Sequence, residues 1–393
     1  MTKFPKLFFI SSLITGLVLT ACVEQQVSPI PTVTIAKTVQ VSSTPKPTNT
    51  NQVSLTPTAT MPLVYAEIDK KNVSQLVLLH QWDVENVDSY RSANFWFSDS
   101  NQFIVPSYDG IQAFKVDDLT PIWFLKSLHS DFTIDEDDQV IINLKGLKIF
   151  DRQGVEIQTI RTNHFCDIDE PLSIYIVTIP GTNLVVTGQQ DSYRDFGLNG
   201  VGYDKARLLI WDITKNSCSE LIKQFDGFLP SLSVSDDGGY ISYSVSIKAT
   251  DSMPAKSTTR IYDLNLRKEK CELNGGYNAR FTRQNQLIVE DAWDGTISLV
   301  TLADCTTKTK FNIGTGVRAF AITPSGELLA GITDAAIHIW DVQTGEKLRK
   351  IDLKGYTESI IGFSPDGHFL ITAKEADSLA EKDKVMLWGI PGN

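Results

Sequence analysis

The chain is short of positive charge. Lys and Arg number 36 against 47 Asp and Glu, a formal charge of −11. Nucleic acid and anionic lipid are held by basic surfaces, so this balance excludes a nucleic-acid partner and polybasic attachment to a membrane. Cysteine is scarce as well. Its five copies include no Cys-x-x-Cys pair, and no His beside them suggests a ligand set, so no metal site is expected. The five His (His80, His129, His164, His338 and His368) make no i, i+4 pair. There is no Gly-x-Ser-x-Gly elbow and no Gly-Lys-Ser/Thr phosphate loop. The acidic run Asp135–Asp138 lacks the alternating oxygen ligands of a calcium loop and reads as a solvated turn. No catalytic residues and no cofactor are expected, and the chain reads as a non-enzyme. The apolar run Leu7–Leu19 is broken at Ser11, Ser12 and Thr15 and is too short to span a bilayer.

What the N-terminus does contain is an export signal over residues 1–21. Lys3 and Lys6 supply a positive start, the apolar run follows, and Leu19-Thr20-Ala21-Cys22 closes it. This ending resembles the lipobox of bacterial lipoproteins. The resemblance implies cleavage before Cys22 and a diacylglycerol thioether on its sulfur. Losing Lys3 and Lys6 takes the charge from −11 to −13, so the lipid must do the anchoring. The implied location is a cell membrane, facing outside the cytoplasm. Residues 22–62 are rich in Thr, Ser, Pro, Val and Gln, nearly uncharged and without period. Such a segment buries too little apolar area to offset its conformational entropy, and reads as a disordered tether. Its r.m.s. span is roughly 35 Å.

From residue 63 to 393 the chain repeats itself. In Gly316–Leu353 four apolar or alternating runs (Val317–Thr323, Leu328–Ile332, Ile337–Val342, Lys347–Leu353) are separated by turn residues. The first turn, Thr323-Pro324-Ser325-Gly326, recurs at Ser98, Asp135, Pro180, Ser235, Thr282 and Ser364, with steps of 37, 45, 55, 47, 41 and 41 residues. A third-strand position follows in register as Phe114, Phe150, Trp211, Tyr262, Val300, Trp340 and Trp388, and Asp comes next at Asp151, Asp212, Asp263 and Asp341. Four antiparallel strands in about 40 residues make one propeller blade. Leu209-Ile210-Trp211-Asp212-Ile213, Ile337–Val342 and Gly362-Phe363-Ser364-Pro365-Asp366-Gly367 resemble the WD40 family of β-propellers and its Ser-Pro-Asp-Gly-turn relatives, over roughly Leu76 to Ile390. The resemblance implies an all-β, seven-bladed propeller that binds other proteins. The Gly-His dipeptide of that family is absent, so its Asp–His–Ser/Thr–Trp network is not implied here.

The last repeat lacks a fourth strand, while Leu76–Trp82 is an unassigned strand before the first. A "velcro" closure, with Leu76–Trp82 completing the seventh blade, removes both open edges. Blades three, four and seven carry insertions between second and third strands, near Gln189–Lys205, Ser246–Thr258 and Lys374–Lys384. In propellers of the resembled family these links share one face, and loops on a rigid scaffold are where binding resides. The aromatics Tyr193, Phe196 and Tyr203 in the blade-three insertion, and Trp293 and Tyr108 at Asp-Gly tips, are candidate contacts with a protein partner. Asp-Gly also makes a plain hairpin turn, which suffices for Tyr108. Outside the cytoplasm Cys166, Cys218, Cys271 and Cys305 have three ways to pair, with Cys218, Cys271 and Cys305 on one rim of successive blades. The leading reading is a lipid-anchored interaction or scaffolding module. The alternatives are a hydrolase or oxidoreductase using the central channel, and a glycan binder using Trp293 and the blade-three aromatics.

Overall fold

The second and third strands of each repeat carry the core. In Leu328–Ile332 and Ala336–Asp341 every residue is buried, whereas Lys347–Asp352 alternates and keeps its lysines in solvent. A strand covered on both faces needs apolar or small side chains throughout, and an outer strand needs them only at alternate positions. The computed structural model describes residues 64–84, 87, 95–126, 131–143, 146–161, 172–190, 194–195, 201–202, 205–215, 217–247, 256–282, 284–291, 295–312, 319–333, 336–353, 358–374 and 382–392. Among them the chain is an all-β, seven-bladed propeller of four-stranded antiparallel sheets.

Blade 1 opens with the Trp96–Phe103 bridge and continues through Gln102–Ser107, Gly110–Lys115 and Pro121–Lys126. Blade 2 is Phe132–Ile134, Val140–Asn143, Gly146–Phe150 and Glu156–Arg161. Blade 3 is Leu172–Ile179, Leu184–Gln190, Lys205–Asp212 and Ser217–Asp226. Blade 4 is Phe228–Val234, Tyr240–Ile247, Lys256–Asp263 and Lys268–Asn274. Blade 5 is Gly276–Phe281, Leu287–Asp291, Thr296–Thr301 and Thr306–Asn312. Blade 6 is Ala319–Ile322 followed by the three strands described above. Blade 7 is Glu358–Phe363, Phe369–Lys374 and Asp383–Pro391.

The strand Val77–Val84 lies antiparallel on Asp383–Pro391, from Val77 opposite Gly389 to Val84 opposite Asp383. It begins after Leu76, which ends the short 3-10 turn Val73–Gln75 and is buried. Blades 7 and 1 also meet through side chains. The Trp96 indole stacks on Phe369 at 6.2 Å and donates to the Gly362 carbonyl at 3.4 Å.

A local irregularity recurs in the blades. The pairing of third and fourth strands slips at Ala113/Phe114, Ile149/Phe150, Ile210/Trp211, Ile261/Tyr262, Leu299/Val300 and Ile339/Trp340. In blade 7 the slip is at Leu78/His80, opposite Trp388 and Leu387. A bulge increases strand twist and re-aims the side chain beside it. Here it turns each third-strand residue into the gap between blades, where Trp211 and Trp340 are among the largest fully buried side chains. The Trp211 and Trp388 indoles donate to Thr187 Oγ1 (2.8 Å) and Thr372 Oγ1 (3.0 Å) on the strand beside them. Gly331, paired with His338, holds the place in blade 6 that Thr187 and Thr372 hold in blades 3 and 7, and has no hydroxyl to offer Trp340.

The Asp that follows caps its own turn. Asp341 Oδ1 accepts from the Gln343 and Thr344 amides at 2.7 and 3.0 Å. Asp151, Asp212 and Asp263 do the same for the two or more amides that follow each of them. An Asp side chain mimics a backbone turn in this way at little conformational cost.

Candidate functional site

Every strand runs between two dissimilar ends. At the turn end lie the first-to-second and third-to-fourth turns. Each first turn holds one residue in the left-handed region: Gly181, Gly238, Gly326 and Gly367, and, at the same task, Ser100, Asp138 and Asn285. Neighbouring turns are tied to one another. The Ser98 amide and hydroxyl donate to Asp138 at 2.7 and 2.9 Å, and the Gly181 amide donates to Glu136 at 3.0 Å. Gln284 Nε2 donates to the Ser325 carbonyl at 2.7 Å, and the Asp366 amide to Ser100 Oγ at 3.1 Å. Arg152 reaches Asp99 at 2.6 Å and Asp138 at 3.4 Å, pairing with both first turns it touches. These bonds join the turn ends of blades 1 and 2, 2 and 3, 5 and 6, and 7 and 1.

The link end carries the connections between second and third strands. They are short in blades 1, 2, 5 and 6, with Ser107 followed by Gly110 after only Tyr108 and Asp109. In blades 3, 4 and 7 they run from Gln190 to Lys205, from Ile247 to Lys256 and from Lys374 to Asp383. The blade-3 link contains an extra hairpin, Arg194–Asp195 paired with Val201–Gly202. At its root Gln189 and Gln190 are buried, with amide oxygens that have no hydrogen-bond partner among the described residues.

The sequence candidates divide accordingly. Tyr108 is half-buried in the blade-1 hairpin turn at the link end. Tyr193, Phe196, Tyr203, Trp293, Cys166 and Cys22 lie outside the described residues. Cys218 belongs to the outer strand of blade 3. Cys271, on the outer strand of blade 4, is bonded to Cys305 in the turn before the outer strand of blade 5, with 6.4 Å between their Cα atoms. One described residue went unnoticed in the sequence. Tyr277 follows Gly275-Gly276 at the start of the blade-5 inner strand and is 38% exposed. Burial and then the Glu290 carboxylate push its phenol up, so it stays a hydrogen-bond donor at neutral pH. A lone aromatic after two glycines was the available signal.

His338, by contrast, has no place in a site. It is buried in the third strand of blade 6, stacked on Trp340 at 5.4 Å. Burial, then Lys347 and Lys350, lowers its pKa, so it stays neutral. Among the described residues, no group of three His, Cys, Asp or Glu is arranged to hold a metal ion. No protein-family profile matches the chain.

The seven inner strands enclose a central cavity of about 400 Å³, lined from every blade by residues between Phe95 and Pro365. A second hollow, about 500 Å³, lies at the seam where Val77–Val84 meets blade 1, between Trp82, Phe114 and Phe124. The fold thus offers three separate surfaces: a pinned end, a variable end and a lined channel.

Proposed function

We propose that this protein is a non-catalytic interaction scaffold, with WD40-like blades, that holds a protein partner at the link end. The reading is carried by the uneven links: three of the seven are extended, and the one in blade 3 has a hairpin of its own. Loops that vary on a fixed framework are the usual seat of binding, and Tyr108 and Tyr277 sit among them as aromatic contacts. The aromatics Tyr193, Phe196, Tyr203 and Trp293 extend the same surface by their places in the links. The sequence Leu19–Cys22 supports lipid attachment at Cys22, which places the propeller outside the cytoplasm on a membrane.

The test is affinity capture from membrane extracts with the soluble propeller. It is compared with a variant in which residues 191–204 are replaced by Asn-Gly. Selective loss of a partner from the variant supports the assignment. Identical recovery by both proteins removes the blade-3 link from the binding surface. Fractionation of a Cys22→Ala variant checks the anchor: the wild type is expected with membranes and the variant in the soluble fraction.

A further inference from the structure

Two charged side chains line the central cavity, and one of them, Arg280, is cationic. Arg280 is on the inner strand of blade 5, and the strand's alternation sends it away from Ala279 and Phe281. The amides of those two neighbours donate to Ser231 and Ser233 Oγ of blade 4, both at 3.2 Å, so the open edge of the strand is already satisfied. Arg280 instead turns to blade 6, its guanidinium 5.7 Å from the centre of the Phe320 ring. It is enclosed by protein yet keeps accessible surface, because it borders the cavity rather than the outside.

No hydrogen bond or ion pair among the described residues uses this guanidinium. Glu290, Asp131 and Tyr175 act on it only through space, while burial lowers its pKa without discharging it. A partly buried guanidinium presents five donors in a planar fork, and a ligand entering the cavity can answer them. The rest of the lining supplies hydroxyl and amide groups (Thr133, Thr178, Ser233, Asn278) beside apolar walls. Asp236 is the other charged residue of the lining, and it follows the inner strand of blade 4 at the turn end.

We propose that the central cavity is a binding site for a small organic oxyanion, a monocarboxylate with an apolar body, held by Arg280. The fork matches a carboxylate bidentately, and the Phe320 ring keeps the guanidinium plane in place. Single charge is favoured over double, because Glu290 and Asp131 already offset part of the cation's field. A volume of about 400 Å³ suits a small molecule. Access is from the turn end, where Pro180, Pro324 and Pro365 ring the cavity. This site is separate from the link end and does not depend on the scaffold reading.

Isothermal titration of the whole propeller at low ionic strength tests it with four probes: benzoate, benzamide, acetate and inorganic phosphate. Benzoate is expected to bind one per chain, and its neutral isostere benzamide at least about tenfold more weakly. Acetate is expected to bind more weakly for want of apolar contact, and phosphate more weakly than benzoate. Arg280→Met is expected to lower benzoate affinity by about tenfold or more, with Arg280→Lys in between. The benzoate–benzamide pair needs no variant and stands if Arg280→Met does not fold. Equal binding of benzamide, or no benzoate binding at millimolar concentration, overturns the proposal. Phosphate binding tighter than benzoate overturns the carboxylate assignment.

Discussion

Blades 4 and 7 reverse direction at the turn end through Ser235–Gly238 and Ser364–Gly367, with the same internal bonds. Ser235 Oγ and Ser364 Oγ each donate to the Asp two residues on, at 2.7 and 2.6 Å. Each then accepts the amide five residues on, at 2.8 and 2.9 Å. At the link end the same two blades carry extended connections, one joining Ile247 to Lys256 and the other Lys374 to Asp383. A turn that also bonds to the turn beside it is constrained twice, by its own backbone and by the ring. A connection between second and third strands can be lengthened at little cost in closure entropy. Framework and variable surface are therefore separated along each strand.

That separation can be broken most severely at the strand Val77–Val84. A chain beginning after Val84 loses one of the strands paired with Asp383–Pro391 and exposes that edge, and it is expected to aggregate or melt without a cooperative transition in calorimetry. Next comes the buried aromatic beside the bulge. Trp211→Ala removes a fully buried indole bonded to Thr187, and urea denaturation is expected to show a loss of about 3–5 kcal/mol. Reducing Cys271–Cys305, which closes a separation of 34 residues, should lower stability by about 3–4 kcal/mol, measured with and without reductant.

Smaller effects sharpen the comparison. Gly367, at φ 75°, has Glu67 within 3.2 Å of where a Cβ would sit, so Gly367→Ala is expected to cost about 1–2 kcal/mol. Asn285 performs the same left-handed task at φ 55° with one long bond to the Asp237 amide, and Asn285→Gly is expected to gain up to about 1 kcal/mol. Acid also acts on the turn end. The Lys215 ammonium, then the Thr214 hydroxyl, hold the Asp212 carboxyl down at about 2, below its ordinary 3.8. A depressed carboxyl stabilises fully above its unfolded value, so this contribution is present above about pH 4 and fades as pH falls toward 2. Lys215 is largely in solvent, which limits the effect to about 0.2–1 kcal/mol. An acid titration of unfolding in which Asp212→Asn removes that part of the pH dependence checks it.

Much of this framework was legible because it is local. The Ser-Pro-Asp-Gly and Thr-Pro-Ser-Gly turns, the buried second and third strands and the third-strand aromatics are set by neighbours a few residues apart. The strand expected at Leu76–Trp82 is paired with Asp383–Pro391 over Val77–Val84, since the turn at Val73–Gln75 takes Leu76 out of it. The ties between turns were not legible. Ser98 and Asp138 are forty residues apart and meet only because the ring brings consecutive blades together. The Asp after four of the third-strand positions was read only as part of the repeat, and its turn-capping role depends on the amides that follow it. Arg280 was hidden for a related reason. In Gly276–Phe281 a charged residue at an alternate position reads as solvent-facing, and only the closed ring makes that direction point inward.

The most direct test is differential scanning calorimetry of a variant with three links shortened together: residues 191–204, 248–255 and 375–382 each replaced by Asn-Gly. If framework and links are independent, the variant melts in one cooperative transition within a few degrees of the intact propeller. A broadened or split transition, or a midpoint lower by more than about 10 °C, would show that the links hold the ring together and would contradict the account.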